Sequence, residues 1–255
     1  MARARKTPEP AGGLFQAIRY ATYLEAMALD GRRASRGERS RLRLMAAGAS
    51  LLDRCGFQEL KIEDIAAAAK LAKGTFYIYF KTKDAFLREL AQRYCEFEPQ
   101  TIPRFRADLS AYITAREFIS WYERTFIANL GILRCMIQMG AVDPLVRECW
   151  LLRNSRIVSE SVEATLRTVR NAGVDRELLT WVARTTGGML DQSLFDRYGL
   201  QTPTGRKDPF DDDTLAEMHA LLIYRGIYGR DPPESEIRLA RAIVTMSQQL
   251  APRPG

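Results

Sequence analysis

Residues 62–90 read IEDIAAAAKLAKGTFYIYFKTKDAFLREL. Ile62, Ile65, Ala66 and Ala69 fall at i, i+3, i+4 and i+7, the apolar stripe of one short helix. Lys70, Leu71 and Ala72 break that stripe. A second short helix opens near Lys73, with Phe76 and Phe80 on one face, so Lys73, Thr75, Tyr77 and Ile78 must point elsewhere. Neither helix can stand alone, and the spacing predicts a pair joined by a tight turn, followed by the start of a longer helix. The outward Lys, Thr and Tyr suit a surface that enters a DNA groove; an ordinary helical hairpin in an all-α protein would use the same spacing. Gly74 costs about 1 kcal/mol of helix propensity, which makes sense where backbone must closely approach a partner.

The charge distribution around this stretch favours the first reading. The 255-residue chain carries a formal net charge of +7. Residues 1–106 hold 20 Lys and Arg against 12 Asp and Glu, whereas the remainder holds 18 against 19. A basic N-terminal part beside a neutral partner is the electrostatic footprint of a nucleic-acid-binding domain. Cys55, Cys95, Cys135 and Cys149 are too far apart for a metal-ligand pair and sit in apolar helical contexts, so they read as reduced core residues of a cytoplasmic protein. His219 is the single histidine. No nucleophile motif and no metal-spaced cluster is present, so neither an enzyme, a metal nor a cofactor is expected. No apolar run reaches the length of a membrane span.

Working outward, residues 1–13 are polar and rich in Pro and Gly. Leu14 to Leu29 reads as an extra amphipathic helix, with Leu14, Ile18, Ala21, Leu24 and Ala28 on one face. Gly31 to Arg43 carries the densest positive run, including Arg39 and Arg41; it either follows phosphates or is a solvated linker. A helix is expected from Glu38 to Arg54, with Leu42, Met45, Ala49 and Leu52 inward and Gly56 as its C′ residue. Thr82 is placed to cap the next helix, with Asp84 in its first turn. The breaker Glu98-Pro99-Gln100-Thr101-Ile102-Pro103 ends the N-terminal domain.

Gly56-Phe57, Ile62-Glu63-Asp64-Ile65-Ala66, Lys73-Gly74-Thr75-Phe76-Tyr77-Ile78-Tyr79-Phe80 and Lys81-Thr82-Lys83 together resemble the DNA-binding domain of the tetracycline-repressor (TetR) family of bacterial transcriptional regulators. The resemblance implies an all-α fold: an N-terminal three-helix helix-turn-helix DNA-binding domain over residues 37–98, after an extension over 1–36, and a C-terminal helical effector-binding and dimerisation domain over 104–255. It also implies a homodimer on double-stranded operator DNA, most simply a repressor released by a small-molecule effector; a constitutive DNA-binding dimer, or a regulator that recruits a protein partner, is the alternative. Carried over by position, Lys73, Gly74 and Thr75 open the recognition helix, Tyr77 and Lys83 touch phosphate, Ile78 and Tyr79 meet bases or backbone, and Glu63 reads a base or simply faces solvent. The sequence departs from the family pattern at Lys61, where Ser or Thr usually caps the helix, and in the turn, where Lys70 would have to turn left-handed. Lys61 adds a cation that can seek phosphate.

The second domain reads as helices over residues 111–128, 131–139, 144–171, 175–198, 212–228 and 234–250. The resemblance assigns the pair at 175–198 and 212–228 to a four-helix bundle between subunits, with Leu178, Leu179, Val182, Thr186, Met189 and Leu190 on one apolar face and Leu215, Met218, Leu222 and Ile223 on the other; the same residues would equally serve an intrachain core. Trp121, Tyr122, Phe126, Met136, Met139, Trp150 and Phe195 either line an apolar effector cavity or form plain core. Asn129, Gln138 and Asn154 are polar groups that could anchor such a ligand.

Overall fold

The computed structural model describes residues 17–30, 35–103, 108–169, 173–199 and 210–250, and no strand occurs among them. The chain runs through α1 (Tyr20–Leu29), α2 (Arg36–Leu52), α3 (Ile62–Ala68), α4 (Lys73–Tyr79) and α5 (Lys83–Phe97), then α6 (Ala111–Ala128), α7 (Leu130–Gly140), α8 (Pro144–Val169), α9 (Arg176–Leu194), α10 (Asp212–Tyr228) and α11 (Arg241–Leu250). One apolar core spans both halves of the molecule.

The N-terminal module closes around aromatic side chains. Phe76 of α4 and Phe80 just beyond it meet Phe86 of α5 at ring-centroid distances of 5.4 and 4.9 Å. Leu42, Met45, Ala49 and Leu52 of α2 cover this cluster. Gly48 is what lets α5 come close, because a Cβ there would lie 2.4 Å from the Phe86 ring. Thr82 caps α5 by accepting from the Ala85 N–H at 3.1 Å. Ser35 caps α2 in the same way, accepting from the Glu38 N–H at 3.2 Å. Lys61 offers α3 no side-chain cap. In the turn, Lys70 does adopt the left-handed region, at φ 55°, while Arg43 donates to the Ala69 carbonyl at 2.5 Å and pins the turn to α2. Gly56 is not a left-handed C′ residue: α2 ends at Leu52, and 53–59 form irregular turns before α3.

The extra N-terminal helix is shorter than expected and does more. Leu14 lies outside the described residues, and Ile18 precedes the first turn of α1 and is exposed. Ala21, Leu24 and Ala28 are buried against α2, as the periodicity predicts. Tyr20, which the apolar pattern overlooked, is the anchor. Its ring packs edge-on to Tyr94 at 5.3 Å, its hydroxyl donates to the Leu90 carbonyl at 3.1 Å, and its N–H donates to Asn129 Oδ1 at 2.7 Å. The Asn129 amide donates onward to the Ile18 and Thr125 carbonyls. Asn129 therefore holds α1 against the junction of α6 and α7 rather than a ligand.

Further ties join the two halves. Gly131 of α7 sits so close to the end of α2 that a Cβ would lie 2.4 Å from the Leu52 carbonyl carbon. Arg134 donates to the Leu52 carbonyl at 3.1 Å. Arg88 of α5 pairs at 2.6 Å with Asp143, whose other oxygen caps the start of α8. The deepest tie is Arg153 of α8, fully buried, whose guanidinium grips both carboxylate oxygens of buried Glu98 at 2.7 and 2.9 Å. Tyr94 donates to the same carboxylate at 2.9 Å.

At the C-terminal end, the helix expected over 234–250 is interrupted. A short 3-10 turn at Glu234–Glu236 leads to α11 only at Arg241, because the buried Glu217 carboxylate accepts from the N–H groups of Arg238, Leu239 and Ala240 and holds them out of a continuous helix. The end of the helix expected to reach Tyr198 widens into a π-helical turn over Phe195–Gly199. Residue 171, the expected end of α8, lies outside the described residues.

Two stability outcomes follow. Lys70→Gly removes a left-handed penalty of about 1 kcal/mol and should raise the urea midpoint without changing the denaturant slope. Arg153→Met leaves Glu98 buried without its cation and should cost about 3–5 kcal/mol, whereas adding Glu98→Leu to Arg153→Met should recover much of that loss. A double-mutant cycle by chemical unfolding checks both parts.

Candidate nucleic-acid interface and interior cavity

The two faces of α4 differ sharply. Phe76 is fully buried, while Ile78 is 75% exposed and Tyr77 49% exposed. Gly74 is exposed with open space around the position of a Cβ, so a duplex backbone can approach the helix start there. Lys61 and Lys73 are also exposed, and Thr75 and Tyr79 are half-buried on the flanks. Glu63 pairs with Lys73 across the turn, which holds the Glu63 carboxyl below its ordinary range and lifts Lys73. A Glu63 engaged in this way must give up Lys73 before it can accept from a base.

Three cations expected on this surface have different surroundings. Lys83 is turned inward: its ammonium donates to the carbonyls of Phe57, Gln58 and Leu60 at 3.1–3.2 Å, spending its three N–H groups on the loop before α3. Its task is to hold that loop rather than to touch phosphate. Arg41 pairs with Glu89 of α5 and lies over the Phe80 ring at 5.5 Å, so it is a packing cation of the module. Arg39 is half-buried on α2. Proximity to the recognition helix in sequence could not separate these roles, because the carbonyls and carboxylates that capture the cations come from other segments.

The second domain holds a cavity of about 290 Å³, partly open to solvent, between α6, α8, α9 and α10. Its walls are chiefly apolar, from Phe118, Ile119, Leu151, Ile157, Val158 and Leu190, with polar groups from Tyr122, Arg153, Asn154 and Asp191. Of the aromatic and Met set singled out in the sequence, Tyr122 lines this cavity. Trp121, Phe126, Met136 and Met139 are buried in the general core, Phe195 packs edge-on to Phe126 at 4.9 Å, and Trp150 stands 5.1 Å from the Arg153 guanidinium. Gln138 is exposed away from it. Leu151, Ile157 and Val158 were legible only as helix residues, since nothing in sequence marks which face of α8 looks into empty space.

The polar side of the cavity is one connected row. Arg153 donates to Asn154 Oδ1 at 2.9 Å and to the Tyr122 hydroxyl at 3.2 Å, and that hydroxyl donates to Asp191. Burial pushes the Asp191 carboxyl up, with Arg153 and Tyr122 opposing the rise. The row continues through Arg153 to Glu98 at the end of α5.

On the outer side of α9, Leu178, Trp181 and Met189 are each about 62–63% exposed, and Leu222 of α10 is 45% exposed. Leu179 and Leu190, expected on the same face, turn inward and are buried, because the helix period sets them on the side that meets α8 and α6. Trp181 was missed in the sequence. A second polar row sits deeper, where His219 of α10 lies 2.7 Å from buried Glu123 and 3.0 Å from Ser193. It has the order of a hydrolytic triad but lacks the rest of one: Ser193 lies within α9, where neighbouring N–H groups are committed to helix bonds and cannot form an oxyanion hole. The row is a core tie between α6, α9 and α10. Among the described residues no cluster suits a metal ion and no helix is long and apolar enough to cross a membrane.

Residues 44–90 match the sequence family described as bacterial regulatory proteins, tetR family. The HTH-type transcriptional regulator EthR of Mycobacterium tuberculosis is 28% identical over 125 residues, covering 47% of this chain and 58% of that protein, and the EthR of Mycobacterium bovis matches equally. The chain thus spans somewhat over half the length of these curated relatives. Among solved structures, a protein of Mesorhizobium loti described as a TetR-family regulator superposes with a TM-score of 0.58 at 15% identity, covering 77% of this chain and 98% of its own. A TetR-family regulator of Bordetella parapertussis gives 0.54 at 18% identity, covering 76% and 98%. PfmR of Thermus thermophilus gives 0.51 at 20%, covering 72% and 98%. These structural likenesses carry the fold alone through the second domain, and the sequence match to bacterial regulatory proteins of the tetR family is confined to residues 44–90.

Proposed function

We propose that the chain acts as a homodimeric DNA-binding transcriptional repressor that leaves its operator when a small molecule fills the second-domain cavity. The observation that carries the DNA-binding part is the exposed Tyr77–Ile78 edge, flanked by half-buried Thr75, of a helix whose opposite face is locked into the core by Phe76. Such a helix is rigid, open and basic at its start, as major-groove entry requires. A helix of seven residues gives limited affinity alone, and the exposed Leu178, Trp181, Met189 and Leu222 supply an apolar face through which a second copy can bring a second half-site.

The effector part is supported by the row that joins the cavity to α5. A ligand that pulls on Tyr122 or Asp191 acts on Arg153, and Arg153 holds Glu98 at the base of the DNA-binding module. A shift of about 1.4 kcal/mol between two arrangements of that base suffices for a tenfold loss of operator affinity. A constitutive dimer without an effector is the second reading, favoured by the small size of the cavity, which lies at the lower end of the roughly 300–1,000 Å³ usual for ligand sites.

The test is binding to duplex DNA from beside the chain's own gene, with footprinting for half-site spacing. Lys73→Ala should weaken binding to operator and random duplex alike and lower the salt slope by about 1, and Tyr77→Ala should weaken both with the slope kept. Unchanged affinities in both variants would overturn the interface. Lys83→Ala should instead lower the melting temperature, since it strips the loop carbonyls of charged hydrogen bonds worth about 2 kcal/mol in all.

A further inference from the structure

We propose that the cavity between α6, α8 and α9 takes a ligand with an apolar body and a single basic nitrogen, whose protonated form pairs with the Asp191 carboxylate. This rests on reading that cavity as the effector site and names the class of effector. Three observations lead to it. The body of the cavity is aliphatic and aromatic, so the bulk of the ligand is apolar. The cation already present is spent: Arg153 gives Nε and one terminal nitrogen to Glu98 and the other to Tyr122 and Asn154. An anionic ligand would find that guanidinium fully engaged and two carboxylates, Glu98 and Asp191, against it.

Asp191 is the carboxylate of the lining. It lines the cavity, receives one hydrogen bond from the Tyr122 hydroxyl, and has no ion-pair partner of its own among the described residues. Arg184, the other cation at the rim, is exposed and lies over the outer Trp181 ring at 6.0 Å. A carboxylate largely stripped of water and held by one hydroxyl is costly to keep ionised, and an ammonium delivered into the cavity relieves that cost. The hydroxyl that holds Asp191 also accepts from Arg153, so neutralising Asp191 changes the pull on the Arg153–Glu98 pair. Gly187 offers a handle for a test: it lines the cavity with nothing within 4 Å of where a Cβ would stand. A larger side chain there starts without a clash at its Cβ, takes up space at the lining, and replaces a helix-weakening glycine.

Titration calorimetry on the full chain with phenylbutylamine, phenylbutanol and phenylbutyrate, equal in body and different in head, tests the proposal. The amine should bind at least about tenfold more tightly than the alcohol or the acid. Asp191→Asn, whose amide oxygen still accepts from Tyr122, should keep its melting temperature and bind the amine no better than the alcohol. Gly187→Leu should fold and lose all three ligands. Equal or tighter binding of the alcohol or acid, no binding of any of the three at millimolar concentration, an amine preference that survives Asp191→Asn, or binding that survives Gly187→Leu would each overturn it. Operator release is read separately by gel shift. If the amine binds as expected and the DNA complex persists, the ligand class stands and the release mechanism falls.

Discussion

The buried pair between Arg153 and Glu98 is the constraint around which the molecule is arranged. Two full charges are removed from water at the junction of the N-terminal module and the second domain, which is costly unless the geometry is close to ideal. Here it is: both carboxylate oxygens are met, Tyr94 adds a third donor, and Tyr122 and Asn154 take up the remaining guanidinium nitrogen. Such a pair has few alternative arrangements. It fixes the end of α5 against α8, and with the Arg88–Asp143 pair and the close contact at Gly131 it makes the position of α4 a property of the second domain.

The same pair gives the cavity a mechanical connection. Tyr122 stands between Arg153 and Asp191, so the polar wall of the cavity and the base of α5 share one hydrogen-bonded row. On the proposed reading, a ligand that alters the charge at one end alters the pull at the other. Nothing so direct links the cavity to α4 itself, which moves with α5 through the Phe76, Phe80 and Phe86 cluster.

The basic character of the N-terminal part serves two ends. Lys61 and Lys73 stand at the open surface, but Lys83, Arg41 and Arg43 are engaged by loop carbonyls, Glu89 and the Lys70 turn. The charge count therefore overstates how many cations are free to meet a partner. The aromatic set of the second domain shows a similar limit. Trp121, Phe126, Met136 and Met139 have the composition of a ligand pocket, yet they are core, and the cavity is walled largely by ordinary aliphatic residues of α8 and α9. Composition reports how apolar a residue is, whereas a cavity depends on where neighbouring helices fail to meet.

What the sequence determined by itself was local: the helix periods, the cap at Thr82, and the two faces of α4, because each depends on residues within a turn or two of one another. Leu42, Met45, Phe76 and Phe80 could be placed inside on that basis alone. Only the tertiary structure decided that Tyr20 and Asn129 bind α1 to the body, that Glu217 interrupts the last helix, that Trp181 faces outward while Leu190 faces in, and that Asp191 looks into a cavity beside a saturated arginine. Those outcomes rest on partners from 21 to 109 residues away, and a linear pattern holds no information on which distant groups a folded chain brings within about 3 Å of each other.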